Sequence, residues 1–283
     1  MSENRMNMSI LNELSEYIHL RMSSYLEQTH DKDWTEHKSH PDYDLWFIQS
    51  GSVKIMIDGL EYTAVPGDAV FFYPDMPYIA STSEEVCRFI YIHFDFSIGE
   101  QQRILSGFQL PGIVPGNLIQ EETTLFTKVF RRLKEGSGTS GNQLYLKASL
   151  LAVIAKIIEL HGQGAYVGQF LNGKKPRKTE GSLEVLQDVF QYVDANLHRP
   201  IRMNDLAVIA GISEKYFISY FKKTLGITPG QYISQIKMNR ARDYLYEKKY
   251  TIQQIASFLG YPDPFTFSKA FKKYYNVPPS KFE

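Results

Sequence analysis

With 283 residues, 43% of them hydrophobic and 22% charged, the chain is long enough for two domains with separate cores and ordinary for a soluble globular protein. Nothing in it approaches the roughly 18 unbroken apolar residues of a membrane span, and Cys87, the only cysteine, excludes a disulfide framework and a Cys-based zinc site and fits a reducing, cytoplasmic setting. The formal net charge of zero hides an asymmetry: residues 182–283 carry 14 Lys+Arg against 9 Asp+Glu, so a basic C-terminal part, suited to a polyanion or merely an uneven solvated surface, follows an acidic N-terminal one.

The first residues, MSENRMNMSI, have no basic start and no apolar core, so no secretory leader is expected. Ile10-Leu11, Leu14 and Tyr17-Ile18 have helical spacing over a short segment. From Asp44 the texture changes to short runs rich in β-branched and aromatic residues. Leu45–Ile48, Val53–Ile57, Glu61–Thr63, Ala69–Tyr73 and Arg88–Phe94 read as strands, at intervals of about ten residues, of an all-β sandwich or barrel. Asp58-Gly59 between apolar runs signals a hairpin, because both central residues of a type I′ turn need positive φ. Pro66-Gly67-Asp68 marks a further turn.

Two helices are predicted next. Leu118, Leu125, Val129 and Leu133 line one side of the first; Leu146, Leu150-Leu151, Ile154 and Ile157-Ile158 form a wide apolar stripe on the second, between Leu144 and Leu160. The loop Gly136–Gly141 closes them into a helical hairpin. The stripe packs on the barrel, on a second copy of the chain, or on both. Residues 163–181, rich in Gly and Lys and without a period, read as a linker between a domain at 1–162 and one at 182–283.

The C-terminal part is predicted all-α. Leu183–Leu197 is amphipathic; Asn204 caps a short helix, Gly211 turns, and Ser213 caps a longer helix bearing Phe217, Phe221 and Leu225. Thr228 caps a long helix starting at Pro229; Thr251 and Asp263 cap two more, with Pro264 at a first helical position. The region contains one pattern written twice. Leu206-Ala207, Gly211-Ile212, Phe217, Phe221-Lys222-Lys223, Ile227, Pro229 and Tyr232 recur as Ile255-Ala256, Gly260-Tyr261, Phe267, Phe271-Lys272-Lys273, Val277, Pro279 and Phe282. The offset is 49 residues up to the glycine and 50 after it, so one residue is inserted in the second turn. A short helix, a glycine turn and a longer helix, duplicated, is the layout of a double helix-turn-helix.

These residues, with Asp205, Gly226-Ile227-Thr228-Pro229, Arg240-Ala241, Leu259-Gly260-Tyr261, Phe265 and Val277-Pro278-Pro279, closely resemble the DNA-binding domain of AraC/XylS-type regulators. Trp46-Phe47-Ile48, Gly51, Gly59, Tyr62, Pro66-Gly67-Asp68, Phe71, Pro74 and Pro77-Tyr78 resemble the cupin-like sensor domain that precedes it in that family. The resemblance implies a two-domain α+β protein: an N-terminal cupin-like β-barrel with a helical hairpin, then two helix-turn-helix units joined by a long helix. It implies a DNA-binding transcription regulator, an activator of a metabolic operon, working as a homodimer with RNA polymerase and controlled by a small effector such as a sugar. Its two reading helices would enter successive major-groove segments about one turn (~34 Å) apart. The base-contacting places fall on Lys215, Ile218 and Ser219 in one unit and Phe265, Thr266 and Lys269 in the other. Ile218 and Phe265 depart from the long polar readers often found there and offer only apolar contact, unless Phe265 is core. Lys222, Lys223, Arg240, Lys272 and Lys273 would hold phosphates.

At the barrel mouth, Trp46 with His40, Asp44, Lys54, Tyr78, Tyr91 and His93 would suit a polyhydroxylated effector, although aromatics in a small barrel are first of all core. Where cupin enzymes hold a metal, this sequence places Lys38, His40, Asp44 and Tyr78. Two ligands are too few for a site of three, and no metal, cofactor or catalysis is expected. Two other classes stay open: a cupin metalloenzyme with an appended nucleic-acid module, and a regulator whose N-terminal domain binds only a protein partner.

Overall fold

The computed structural model describes residues 15–98, 104–136, 141–171 and 184–282. It divides near residue 180 into two compact units. The helical spacing around Ile10–Leu14 lies outside the described residues; Ser15–Tyr17 is a short 3₁₀ turn.

The first unit is built on two antiparallel sheets. Strands β1 (Ile18–His30), β8 (Cys87–Ile98), β3 (Tyr43–Ser50), β6 (Ala69–Phe72) and β9 (Gly112–Val114) pair in that order. The second sheet is ordered β2 (Thr35–Lys38), β7 (Tyr78–Ser81), β4 (Val53–Ile57), β5 (Leu60–Ala64). Side chains alternate across a strand, and β4 shows it: Val53, Ile55 and Ile57 are buried while Lys54 and Met56 point outward. Trp46, Ile48, Val70, Phe72 and Phe89 from one sheet share a core with Val53, Ile55, Tyr78 and Ala80 from the other. The hairpin expected at Asp58-Gly59 forms with φ of 50° and 80°.

β3 is buried on both faces from Tyr43 to Ile48. Its even-numbered residues, Asp44, Trp46 and Ile48, share one face and its odd-numbered residues the other. On the odd face Phe47 meets Phe126 of the helical hairpin, ring centroids 4.4 Å apart. That hairpin comprises α1 (Gln120–Lys134) and α2 (Asn142–Gly162). The apolar face of α1 differs from expectation: Phe126, Val129 and Phe130 are buried, whereas Leu125 is exposed. Aromatic bulk at 126 and 130 outweighs the smaller leucines of the expected stripe.

The linker expected over 163–181 is also revised at its start. The Tyr166 hydroxyl donates to the Leu110 carbonyl at 2.7 Å, the Phe170 amide donates to Pro111 O at 3.1 Å, and the Phe170 ring is in the barrel core. Gly168 allows this approach, since a Cβ there would lie 2.4 Å from the Pro111 carbonyl oxygen. Residues 172–183 lie outside the described set.

The second unit is all helical: α3 (Glu184–Ala195), α4 (Met203–Ile209), α5 (Glu214–Leu225), α6 (Pro229–Glu247), α7 (Ile252–Phe258) and α8 (Pro264–Tyr275). Ser213, Thr228, Thr251 and Asp263 all cap as expected, Thr228 and Thr251 within full capping boxes. Asn204 does not: it lies inside α4, whose N-cap is Arg202, without a side-chain cap bond.

Candidate functional site

The repeat becomes two superposable turns. Ala207 and Ala256 are buried where the paired helices cross, and the carbonyl of each accepts the amide beyond the glycine, from Ile212 at 3.1 Å and Tyr261 at 2.9 Å. Gly211 and Gly260 turn with φ of 70° and 65°. Phe217–Phe221 and Phe267–Phe271 each have ring centroids 5.7 Å apart and are buried. The inserted residue is Pro262: Ser213 and Asp263, one position further on, both cap the longer helix of their unit. Each helix ends in a left-handed residue, Gly226 in α5 and Asn276 in α8.

Burying Phe217, Phe221, Phe267 and Phe271 turns the other faces of α5 and α8 to solvent. Lys215, Ser219, Phe265, Thr266 and Lys269 are exposed and Ile218 is half-buried. Phe265, at 78% exposure, is not core. Thr266 is constrained: its amide and its hydroxyl both donate to Asp263, each at 2.7 Å, so its methyl group and the acceptor lone pairs of its hydroxyl remain to offer. Lys222, Lys223, Lys272 and Lys273 are exposed at the ends of the same helices. Arg240 stands apart from them, ion-paired with Asp194 at 3.3 Å.

One residue at this end escaped the sequence reading. Lys237 of α6 is buried, its ammonium 5.5 Å from the centre of the Tyr261 ring. Burial lowers its pKa and raises that of Tyr261. Its position on a long amphipathic helix gave no signal, because lysines are rarely buried.

In the first unit the even-numbered face of β3 opens on a cavity of about 100 Å³. Asp44, Trp46, Tyr78, Tyr91 and His93 line it, as expected from sequence. Two expected residues do not. Lys54 lies on the outward face of β4, 3.5 Å from Glu61. His40 instead stacks on His93, ring centroids 3.5 Å apart. Gln28, His30, Glu36, Lys38 and Phe89 complete the lining. Phe89 comes from β8; the other four come from β1 and β2, polar strands with little burial, so periodicity did not reveal them.

Trp46 stacks on Phe89 at 4.5 Å and meets Tyr78 edge-on at 5.4 Å, giving an aromatic wall. Opposite polarity gathers around Asp44, which is 1% exposed. His93 places Nδ1 2.7 Å from Ser24 Oγ and Nε2 3.5 Å from Asp44 Oδ1. That last contact is too poorly formed to count as a hydrogen bond, and Asp44 Oδ1 and His40 Nδ1 are left buried without one. Burial, then the neighbouring His93, holds His40 below the ordinary histidine pKa; burial does the same to His30. Burial and the charges of Asp44 and Glu36 push the Tyr78 phenol far up, so it stays protonated and donates to Glu36 Oε1 at 3.4 Å. Among the described residues no three His, Cys, Asp or Glu side chains converge to hold a metal. A larger, open groove of about 850 Å³ runs between α1 and the barrel, past Gln49, Thr123 and Arg131, but no unsatisfied buried polar atom faces it.

Residues 22–154 match the model of an AraC-like ligand binding domain, and residues 206–283 that of a helix-turn-helix domain. A probable transcription factor of Proteus vulgaris, PqrA, is 31% identical over 100 residues, which cover 35% of this chain and 82% of that protein. The chain belongs to the AraC/XylS family of transcription regulators. The Msm operon regulatory protein of Streptococcus mutans is 28% identical over 144 residues, 51% of this chain and 49% of that protein. The lactose operon transcription activator of Staphylococcus xylosus is 30% identical over 99 residues, 35% of this chain and 36% of that one. The chain thus spans about half the length, or less, of these last two relatives. The family consists of regulators and not enzymes, and no described helix is long and apolar enough to cross a membrane.

Proposed function

We propose that the protein is a cytoplasmic, sequence-specific DNA-binding activator of a metabolic operon, governed by a small effector, a sugar or its relative, held in the N-terminal barrel. The duplicated turn carries this reading: two helices, each side-chain capped and each burying a Phe pair, present different residues from one scaffold. Lys215, Ile218 and Ser219 read one major-groove segment; Phe265, Thr266 and Lys269 read the next, with the apolar contact of Ile218 and Phe265 directed at thymine methyl groups. Lys222, Lys223, Lys272 and Lys273 hold phosphates and supply affinity without sequence information. Arg240, half-exposed and ion-paired with Asp194 through one nitrogen, keeps further guanidinium donors for a phosphate. Relatives named for a lactose operon and the Msm operon support the operon reading, and RNA polymerase is the partner an activator requires.

Selection of bound DNA from a random pool by the full chain tests the reading. A recovered site with two adjacent half-sites is expected; recovery of no preferred sequence would overturn it. In the same assay Lys269→Ala shifts base preference at one half-site, costing about 1–3 kcal/mol of discrimination, while Lys223→Ala weakens all sequences alike.

Homodimerisation through α2 belongs to the same proposal. Leu144, Ala148, Leu151, Ala155 and Ile158 follow one another at alternating steps of four and three, the spacing of a coiled-coil seam. They lie beside the face that packs on the barrel, with Leu144 71% and Leu151 40% exposed. Leu151→Glu should convert a dimer to a monomer in sedimentation; a dimer unaffected by it removes this seam from consideration.

A further inference from the structure

Several polar side chains around the cavity are paired with one another, and the buried atoms left unpaired lie close together. Glu36 and Lys38 neutralise one another across 3.1 Å. His93 is engaged by Ser24, and Tyr78 donates to Glu36. What remains is the Asp44 carboxylate, buried beneath the cavity, with Oδ1 accepting nothing, and the buried Nδ1 of His40 behind it. Leaving a buried charged acceptor without a donor is costly, and native chains keep such atoms where something else supplies the donor. Of the two carboxylates and one lysine in the wall, Glu36 and Lys38 are paired with each other, which leaves Asp44, with the His93 ring 3.5 Å away, as the carboxylate without a cationic side chain of its own. An anion placed here would face the Asp44 carboxylate at close range.

We propose that this cavity takes the hydrogen-bond-donating end of an uncharged or cationic small molecule, a sugar hydroxyl or an amine, with Asp44 as its principal acceptor, and rejects anions. The Trp46–Phe89 wall receives the apolar face of the same group. The volume, about 100 Å³, admits one end of a ligand, so the rest extends through the mouth. Selectivity against acids follows from repulsion by Asp44, and selectivity against alkanes from leaving Asp44 unpaired. This inference rests on the barrel being the effector site and adds the class of ligand that site accepts.

The test uses the full chain and matched trios of probes: glucose, glucosamine and glucuronate, then galactose, galactosamine and galacturonate, each followed by thermal shift and titration calorimetry. A neutral sugar or its amine should stabilise the protein while the matching uronate does not, a comparison that requires no variant. Asp44→Asn should lose about 10- to 100-fold in affinity for that compound, whereas Lys32→Ala, an exposed partner of Glu85, changes nothing. The melting temperature of ligand-free Asp44→Asn should hold or rise, since an uncompensated buried charge is gone; a purely structural carboxylate would make it fall. Tighter binding of a uronate, or full affinity in Asp44→Asn, would overturn the inference and leave the effector reading standing. No response to any probe would remove both.

Discussion

The two helix-turn-helix units share a scaffold and differ in how tightly it is held. Gly211 turns in open space, whereas a Cβ on Gly260 would lie 2.6 Å from the Arg199 amide nitrogen in the connection after α3. The first cap is a serine accepting one amide at 3.4 Å; the second is an aspartate accepting an amide and a hydroxyl, both at 2.7 Å. The inserted Pro262, and Pro264 where the first unit has Glu214, stiffen the second turn. The second unit therefore has its reading helix pre-set, and the first retains more freedom to adjust. A duplicated motif need not be duplicated in rigidity.

Three substitution pairs and one pH series would break or sharpen this comparison. Phe221→Ala and Phe271→Ala empty equivalent core positions and should each cost about 3–5 kcal/mol in denaturant melts; a large inequality between them would show that the cores are not equivalent. Gly211→Ala incurs only the left-handed backbone penalty of about 1–2 kcal/mol. Gly260→Ala incurs the same penalty plus the collision with Arg199, a further 1–3 kcal/mol or so, so equal melting temperatures would deny the difference in packing. Ser213→Ala should cost roughly 0.5–2 kcal/mol, and Asp263→Ala more than Ser213→Ala in the same melts. Smallest is the pH effect. The amide and hydroxyl of Thr266 hold the Asp263 carboxyl below its ordinary pKa. Its contribution is therefore fully present above about pH 4 and fades as pH falls through its lowered folded value. The difference in melting temperature between wild type and Asp263→Asn should shrink on acidification; a constant difference would mean that the carboxylate charge is irrelevant to the cap.

How much was legible from sequence depended on whether one residue type alone could do the work. Positive φ at Asp58-Gly59, Gly211 and Gly260 and the caps at Ser213, Thr228, Thr251 and Asp263 follow from local chemistry, and local chemistry is written in the chain. Asn204 had the right chemistry for a cap, but α4 begins a residue earlier, a shift that tertiary packing decides. The cavity was half visible. Asp44, Trp46 and His93 lie on strands with strong apolar character, while Gln28, His30 and Glu36 come from polar strands that only pairing creates: β1 on β8 and β2 on β7. Lys54 failed because its neighbours Val53 and Ile55 take the inward positions of β4. The start of the linker failed because glycines permit close packing as readily as they permit disorder, and Gly168 does the former.

β3 joins the cavity to the hairpin without any intermediary. Asp44 and Trp46 face the ligand space, and Phe47, the next residue along, is packed on Phe126. Strand backbone is stiff and its alternation fixed, so a shift that carries Asp44 toward a bound donor displaces Phe47 against α1. If ligand binding moves Asp44, coupling to the helices would span the three peptide bonds from Asp44 to Phe47, and thermodynamic reciprocity would then require that anything gripping the helices also tune ligand affinity. Reshaping Phe47, which touches no ligand, is thus a route to altering the effector response of the protein.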